Sequence, residues 1–479
     1  MKKKRIFAGI AAIVMVSGMT ACGSSEEADT ADETTSATTT TGVTVAVNTE
    51  ALKEEEEDAL SDVMSKLRDV ELENKEIKWL AHYDINPNTN GASKKVEIEM
   101  FEKKYGGSIK WYPTTWDNRY TDLSTNILGG EGIDFFPSDA NNLPKGIVNG
   151  MFVPVDDYID LDSDIWSETK NAMELLNFNG KHYEFVTGVT AEQVTIYNTQ
   201  TIEENGFEDP WELYKKGEWN WDTFEQMLID FVDVDNDCHG LDGWYNEKAL
   251  FLSAGVPMVQ SVDGNLVCNI NDPTVERAMN FQYDLYNNGL VLPLEQYDWS
   301  IQPQMMGEGK ELFYFCGSWG FEGAPETWET KIPPENMAIA PVPSPAGSDP
   351  YQSAVLNGFV LCKGAQNPLG VALFAECSIL AGTDENAIAI SDRKLRDDSG
   401  WSDELIERNK EINALAKEYP VLDLAAGCSA DIASLTTDGG STIGTRAAFH
   451  GVDWATNRES TADILLMLVD EVNEQIKES

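Results

Sequence analysis

Residues 76–136 read EIKWLAHYDINPNTNGASKKVEIEMFEKKYGGSIKWYPTTWDNRYTDLSTNILGGEGIDFF and alternate between two periodicities. Glu76–His82 alternates apolar and polar positions as a strand does, and a polar loop with Asn and Gly follows to Ala92. Ser93–Tyr105 sets Val96, Ile98, Met100 and Phe101 in a charged background, a helical pattern that ends at Gly106-Gly107. Ile109–Tyr112 is a second strand, Asn118–Leu128 a helix stopped by Gly129-Gly130, and Ile133–Phe136 a third strand. Strand, helix, strand, helix, strand at this spacing predicts an α/β protein with a parallel sheet and right-handed crossovers. Ligands of open sheets sit at the carboxyl ends of strands. Those ends here carry Tyr83-Asp84, Thr114-Thr115-Trp116 and Ser138-Asp139-Ala140-Asn141.

Upstream, Lys2-Lys3-Lys4-Arg5 precedes the apolar run Ile6–Val16, which is shorter than the roughly 20 residues of a spanning helix. It reads as a secretory signal over 1–21. The small residues before Cys22 resemble a bacterial lipobox, with Met19 where Leu is commoner, so Cys22 is expected to carry lipid. Residues 22–49 lack large apolar side chains and read as a disordered tether. Residues 50–75 place Leu52, Leu60, Val63, Met64, Leu67 and Val70 in a helical stripe, expected as an acidic, loosely docked spacer.

The 479 residues carry 82 Asp+Glu against 34 Lys+Arg, a formal net charge of −48. A phosphate-binding surface needs clustered cations, so nucleic acid is excluded as a partner. Most of the acidic excess falls on the folded body, not the tether, which favours a neutral ligand. The six cysteines besides Cys22 form no CxxC or metal-ligand spacing and are expected as mostly buried free thiols. Asp233, Asp235, Asp237 and Asp242 resemble the start of a Ca²⁺ loop, but Cys238 takes the turn-glycine position and Trp244 the twelfth. An ordinary polar loop is the favoured reading and a structural Ca²⁺ the alternative; no other cofactor is expected.

The ordered runs FEKKYGG, TNILGGEGIDFF, VNGMFVPVDDYID, FNGKHYEF, TIYNTQTIEENGFEDPWELYKKGEWNWDTFEQM, GEGKELFYFCGSWGF, MAIAPVPSPAG and LNGFVLCKGAQNPLGVALFAECSIL together resemble extracellular solute-binding proteins of carbohydrate ABC importers, the maltose-binding-protein-like family. The resemblance covers about residues 77–380. It implies a two-lobed, type II periplasmic-binding-protein-like fold, each lobe a mixed, mostly parallel sheet flanked by helices. Lobe 1 would be 76–188 with 341–381, and lobe 2 would be 189–340 with 382–479. Crossings are expected near Gly188 and at Pro341–Pro345, with hinge closure over the ligand. The implied protein is a monomeric, non-enzymatic receptor, lipid-anchored on the extracytoplasmic face of the cell membrane, that hands a sugar to ABC transporter permease subunits.

Sugars present apolar C–H faces and a rim of hydroxyls, so a site needs aromatic platforms and carboxylate or amide acceptors. By position within the resemblance, Trp319 is the stacking tryptophan. Tyr83, Asp84, Asp139 and Asn141 are strand-end contacts, and Glu192 is a contact at the lobe crossing with Ala191 as the competing match. Trp244, Tyr245 and Trp454 are second-lobe platforms, and Trp116 ranks lower. Trp79, Trp111, Trp211, Trp219 and Trp221 are assigned to packing, the usual fate of tryptophan. A secreted glycosidase or a surface glycan adhesin remains the alternative. The chain has no nucleophile elbow, HExxH or P-loop, and no GxGxxG after the first strand.

Overall fold

The computed structural model describes residues 49–86, 94–437 and 440–478. The expected signal segment, Cys22 and the tether through residue 48 lie outside the described residues. In chain order the strands are β1 (Glu76–Ala81), β2 (Ser108–Pro113), β3 (Phe135–Pro137), β4 (Asn177–Phe178), β5 (Lys181–His182), β6 (Glu184–Ala191) and β7 (Val194–Asn198). They continue with β8 (His239–Gly243), β9 (Val259–Val262), β10 (Asn265–Cys268), β11 (Glu311–Cys316), β12 (Met337–Ala340), β13 (Gln352–Leu361) and β14 (Pro420–Val421).

Two sheets carry the body. The first has the order β14-β13-β3-β1-β2, with β6 also on β13; the second has the order β12-β7-β11-β8. The run that opens the sequence builds the parallel part of the first sheet: β1 pairs parallel with β2 and with β3. Helices Val96–Tyr105 and Arg119–Gly129 are the crossovers, and the second ends on Gly130, whose φ of 69° is the left-handed cap that glycine adopts without penalty. In the second sheet β11 runs parallel to β8 and antiparallel to β7.

The chain passes between sheets twice. β6 ends at Ala191 and β7 begins at Val194, so the first crossing is Glu192-Gln193, a few residues beyond the expected Gly188. The return lies between Ala340 and Gln352. Indole N–H groups fix it: Trp219 donates to the Pro341 carbonyl at 2.8 Å and Trp221 to that of Pro343 at 2.9 Å. Gln352 adds a reciprocal pair, accepting from Val342 N and donating to Val342 O at 3.1 Å each.

The core does not follow the expected lobe boundaries. One apolar cluster joins the first sheet to residues 251–279 and to the C-terminal helices, including Trp454, Leu465 and Val469. The cause is β14, which pairs parallel with Gln352-Ser353 and lays the segment after it against the first sheet. Two further clusters pack the two faces of the second sheet.

The expected loose spacer is corrected. Helix Thr49–Met64 and the turn after it bury Leu60, Val63, Leu67 and Leu72 in the main cluster. Arg68 Nε pairs with the buried Glu376 carboxylate at 2.8 Å, and Trp166 Nε1 donates to the same oxygen at 2.9 Å. Lys66 pairs with Asp384, and Arg393 with Glu56. The acidic composition hid an amphipathic face, since solvent-side glutamates do not prevent docking by the opposite side. Leu60→Ala is expected to cost about 2–5 kcal/mol, as for buried leucines, in denaturant unfolding. A change within about 0.5 kcal/mol, the range of surface positions, would mean that the helix is not part of the core.

Candidate functional site

A cleft of about 830 Å³ opens where the carboxyl ends of the first sheet face the ends of β8 and β11. The loop after β1 supplies His82 and Tyr83, the loop after β2 supplies Trp116, and the loop after β3 supplies Ser138, Asp139 and Asn141. From the opposite side come Tyr245, after β8, and Trp319, in the turn after β11. Glu192, at the crossing itself, lies between them.

The aromatic rings are left open to solvent. Tyr83, Trp116, Trp244, Tyr245 and Trp319 are 44, 45, 39, 49 and 53 % exposed, whereas most other tryptophans are buried. Four of these, Tyr83, Trp116, Tyr245 and Trp319, line the cleft, and exposed apolar rings gathered in one concavity mark a binding surface rather than a packing defect. Each ring is held from behind. His82 meets Tyr83 and Trp116 edge-on, with centroids 5.0 and 5.1 Å away. The Arg119 guanidinium lies 3.5 Å from the centre of the Trp116 ring. Trp244 touches Trp319 edge-to-face at 6.0 Å and donates its indole N–H to Glu329 at 3.2 Å. Gly317 lets the Trp319 ring fold back over its own turn, because a Cβ there would run into Trp319 Nε1 and the Glu192 carbonyl.

The polar groups beneath the rings are mostly committed to one another. Asp139 accepts from Arg119 Nη2 at 3.0 Å and, through its other oxygen, from Asn141 N and Nδ2 at 2.8 Å. Glu192 accepts from Lys248 Nζ at 2.6 Å and from the Ser353 hydroxyl. Burial opposes the charge on Lys248, but Glu192 outweighs it and the ammonium pKa is raised. Burial, then the charge of Arg119, hold His82 below its ordinary value, so the ring is neutral near pH 7. The Tyr83 ring is open while its hydroxyl end sits deep. That burial, with Glu322 and Asp139 nearby, pushes the phenol up to about 12 and keeps it a donor.

Several expected positions fall elsewhere. Trp454 is corrected to a core residue, 2 % exposed at the start of helix Trp454–Glu478. Asp84 does not line the cleft; its Oδ1 accepts from Asn86 N and Nδ2 at 3.0 and 2.9 Å, closing its own loop. Trp244 stands behind Trp319 and does not line the cleft floor. The carboxylates of the Asp-rich run point to different partners. Asp242 is buried in β8 and accepts from Gln302 N at 2.6 Å, while Asp237 faces Tyr297, His239 and Lys310. Asp233 accepts from Asn236 Nδ2 at 2.7 Å, and Asp235 is exposed on the same turn. A hard cation needs convergent oxygens, and among the described residues no three such side chains are arranged to hold one. The six described cysteines are free, four of them buried.

Sequence reasoning missed Arg119, Lys248, Glu247 and Asp423, which line the cleft. Behind the Ser138 loop, Glu184 is fully enclosed and receives the Ser138 hydroxyl. Burial raises its carboxyl from the ordinary 4.5 to about 7. A carboxyl raised on folding favours the folded state below its unfolded pKa and loses that contribution as pH climbs through the folded value. The shift corresponds to roughly 3 kcal/mol. Stability is therefore expected to fall between about pH 4.5 and 7, and Glu184→Gln to flatten that slope in denaturant titrations. An identical slope in the variant would contradict this.

A search of curated proteins gives no match. The solved structures that this fold resembles include an ABC substrate-binding protein of Listeria monocytogenes in complex with cycloalternan, at 17% identity and a TM-score of 0.59. That match covers 84% of this chain and 99% of the other. The GacH receptor of Streptomyces glaucescens, solved unliganded and with acarbose, matches at 14% identity and 0.58, over 83% and 98%. The galacto-N-biose/lacto-N-biose I-binding protein of the Bifidobacterium longum ABC transporter matches at 13% and 0.57, over 84% and 98%. At these identities the likeness speaks for the two-lobed periplasmic-binding-protein-like fold. Residues 98–390 match the family described as bacterial extracellular solute-binding protein. With that match over more than half of its length, this chain belongs to the bacterial extracellular solute-binding proteins.

Proposed function

We propose that the protein is a lipid-anchored extracytoplasmic receptor that takes up a neutral sugar or short oligosaccharide and delivers it to an ABC transporter permease. The observation that carries this reading is the set of open aromatic rings on both walls of one cleft. Flat apolar rings with hydroxyl, amide and carboxylate groups beneath them complement the C–H faces and hydroxyl rim of a pyranose. The volume of the cleft, about 830 Å³, with Trp116 and Trp319 on facing walls, suits a linear oligosaccharide better than a single ring. The complexes of the three structural relatives with cycloalternan, acarbose and lacto-N-biose support the same class.

Ligand contacts divided between the two walls would favour a closed arrangement of the lobes, to the extent that both walls bind better when closed. The basic and apolar leader ending at Cys22 supports the anchor, and the acidic body is consistent with a neutral ligand. Asp139 is already engaged by Arg119 and Glu192 by Lys248, so neither carboxylate is free to meet a scissile bond.

In a thermal-shift screen over neutral glycans, at least one is expected to raise the melting temperature and to be recovered intact. Steady release of hydrolysis products would favour the glycosidase reading, and no shift with any glycan would favour an adhesin. Trp319→Ala should weaken binding of the responding glycan about 10- to 100-fold by titration calorimetry, the scale of one lost stacking platform. Unchanged affinity would remove Trp319 from the site.

A further inference from the structure

The carboxylates at the cleft differ in what already occupies them. Both oxygens of Asp139 are engaged, by Arg119 and by Asn141, and both oxygens of Glu192, by Lys248 and by Ser353. Asp423 accepts from the backbone N–H groups of Val259 and Ala425 at 3.1 and 3.0 Å. Glu247 is different. It lies in the first turn of helix Asn246–Leu252, two residues after the Tyr245 ring, and lines the same cleft. Its stem runs along Gly444, at the start of helix Ile443–His450. Among the described residues its carboxylate makes no ion pair and no hydrogen bond to another side chain. Lys248 acts on it only through space and is bonded to Glu192 instead. Its surroundings are dry enough that burial raises its carboxyl pKa.

Apart from its own backbone N–H, nothing among the described residues donates to this half-buried carboxylate, and the acceptor capacity left over is costly unless a ligand uses it. We infer that Glu247 is the acceptor that reads the ligand, taking two hydrogen bonds from a neighbouring pair of sugar hydroxyls while Tyr245 meets the adjacent ring. This rests on the carbohydrate reading above and adds a chemical selection to it. The ligand presents a hydroxyl pair at this point, and a uronic acid carboxylate placed there is rejected by like charge. Glu192 acts as a positioning residue that keeps the Lys248 ammonium bonded to itself and not to Glu247.

The test uses titration calorimetry of the full chain with maltotriose, cellotriose, xylotriose and β-1,4-mannotriose, and with trigalacturonic acid as the anionic probe. Glu247→Gln keeps the shape and removes the charge. It is expected to lose affinity for the bound neutral trisaccharide by about 10- to 100-fold, as for a truncated charge-assisted pair. The preference for that sugar over trigalacturonic acid should narrow. Glu247→Asp withdraws the carboxylate by one methylene and should also weaken binding, which keeps the test open if the amide variant folds poorly. Neutral-sugar affinity unchanged in both variants would overturn the role of Glu247 alone. Failure of every neutral trisaccharide to bind the unmodified protein would overturn the carbohydrate reading and this inference together.

Discussion

Everything at the cleft is placed by two chain crossings. The first is a single step, Glu192-Gln193, between a strand of one sheet and a strand of the other. The second is the Pro341–Tyr351 segment, clamped by Trp219, Trp221 and Gln352. Both enter or leave the two sheets beside the cleft. Glu192 bonds Ser353 at the start of β13 and Lys248 on the helix after β8, so one carboxylate ties a crossing to both walls. A buried pair of this kind contributes little net stability, because desolvation offsets the attraction. Its value here is geometric, since it fixes where the two walls meet.

The second constraint is that large rings must remain exposed without collapsing onto each other or inviting association. Trp116 and Trp319 are each braced by a neighbour that is itself locked: Trp116 by Arg119, which Asp139 holds, and Trp319 by Trp244, which Glu329 holds. Glu329 also receives the Tyr314 hydroxyl at 3.0 Å from within β11, so the platform is tied to the strand that carries it. Rigid platforms lose little side-chain entropy when a ligand arrives, which preserves affinity.

Much of this was legible from residues 76–136, because strand and helix periodicities alternate cleanly there and the strand ends name themselves. Trp319, in the turn after β11, was picked out by resemblance and not by pattern. Arg119 and Lys248 were not, because a cation in a highly charged chain reads as surface. Their burial depends on Asp139 and Glu192, distant in sequence. Trp454 was misplaced although a signal existed. The buried stripe Trp454, Asn457, Thr461, Leu465, Val469, Val472, Ile476 keeps helical spacing and puts the tryptophan on the core face. The N-terminal helix carries the same kind of stripe, and its glutamates drew attention from Leu60, Val63 and Leu67.

The claim on which the account rests is that the open rings of the cleft are the surface a sugar covers. Acrylamide quenching of tryptophan fluorescence reads this directly, because the exposed indoles are Trp116, Trp244, Trp319 and the remote Trp299. Saturation with a stabilising neutral oligosaccharide is predicted to protect Trp116 and Trp319 and to leave a residue attributable to Trp299 and Trp244. Quenching that is identical with and without the bound glycan would contradict the account.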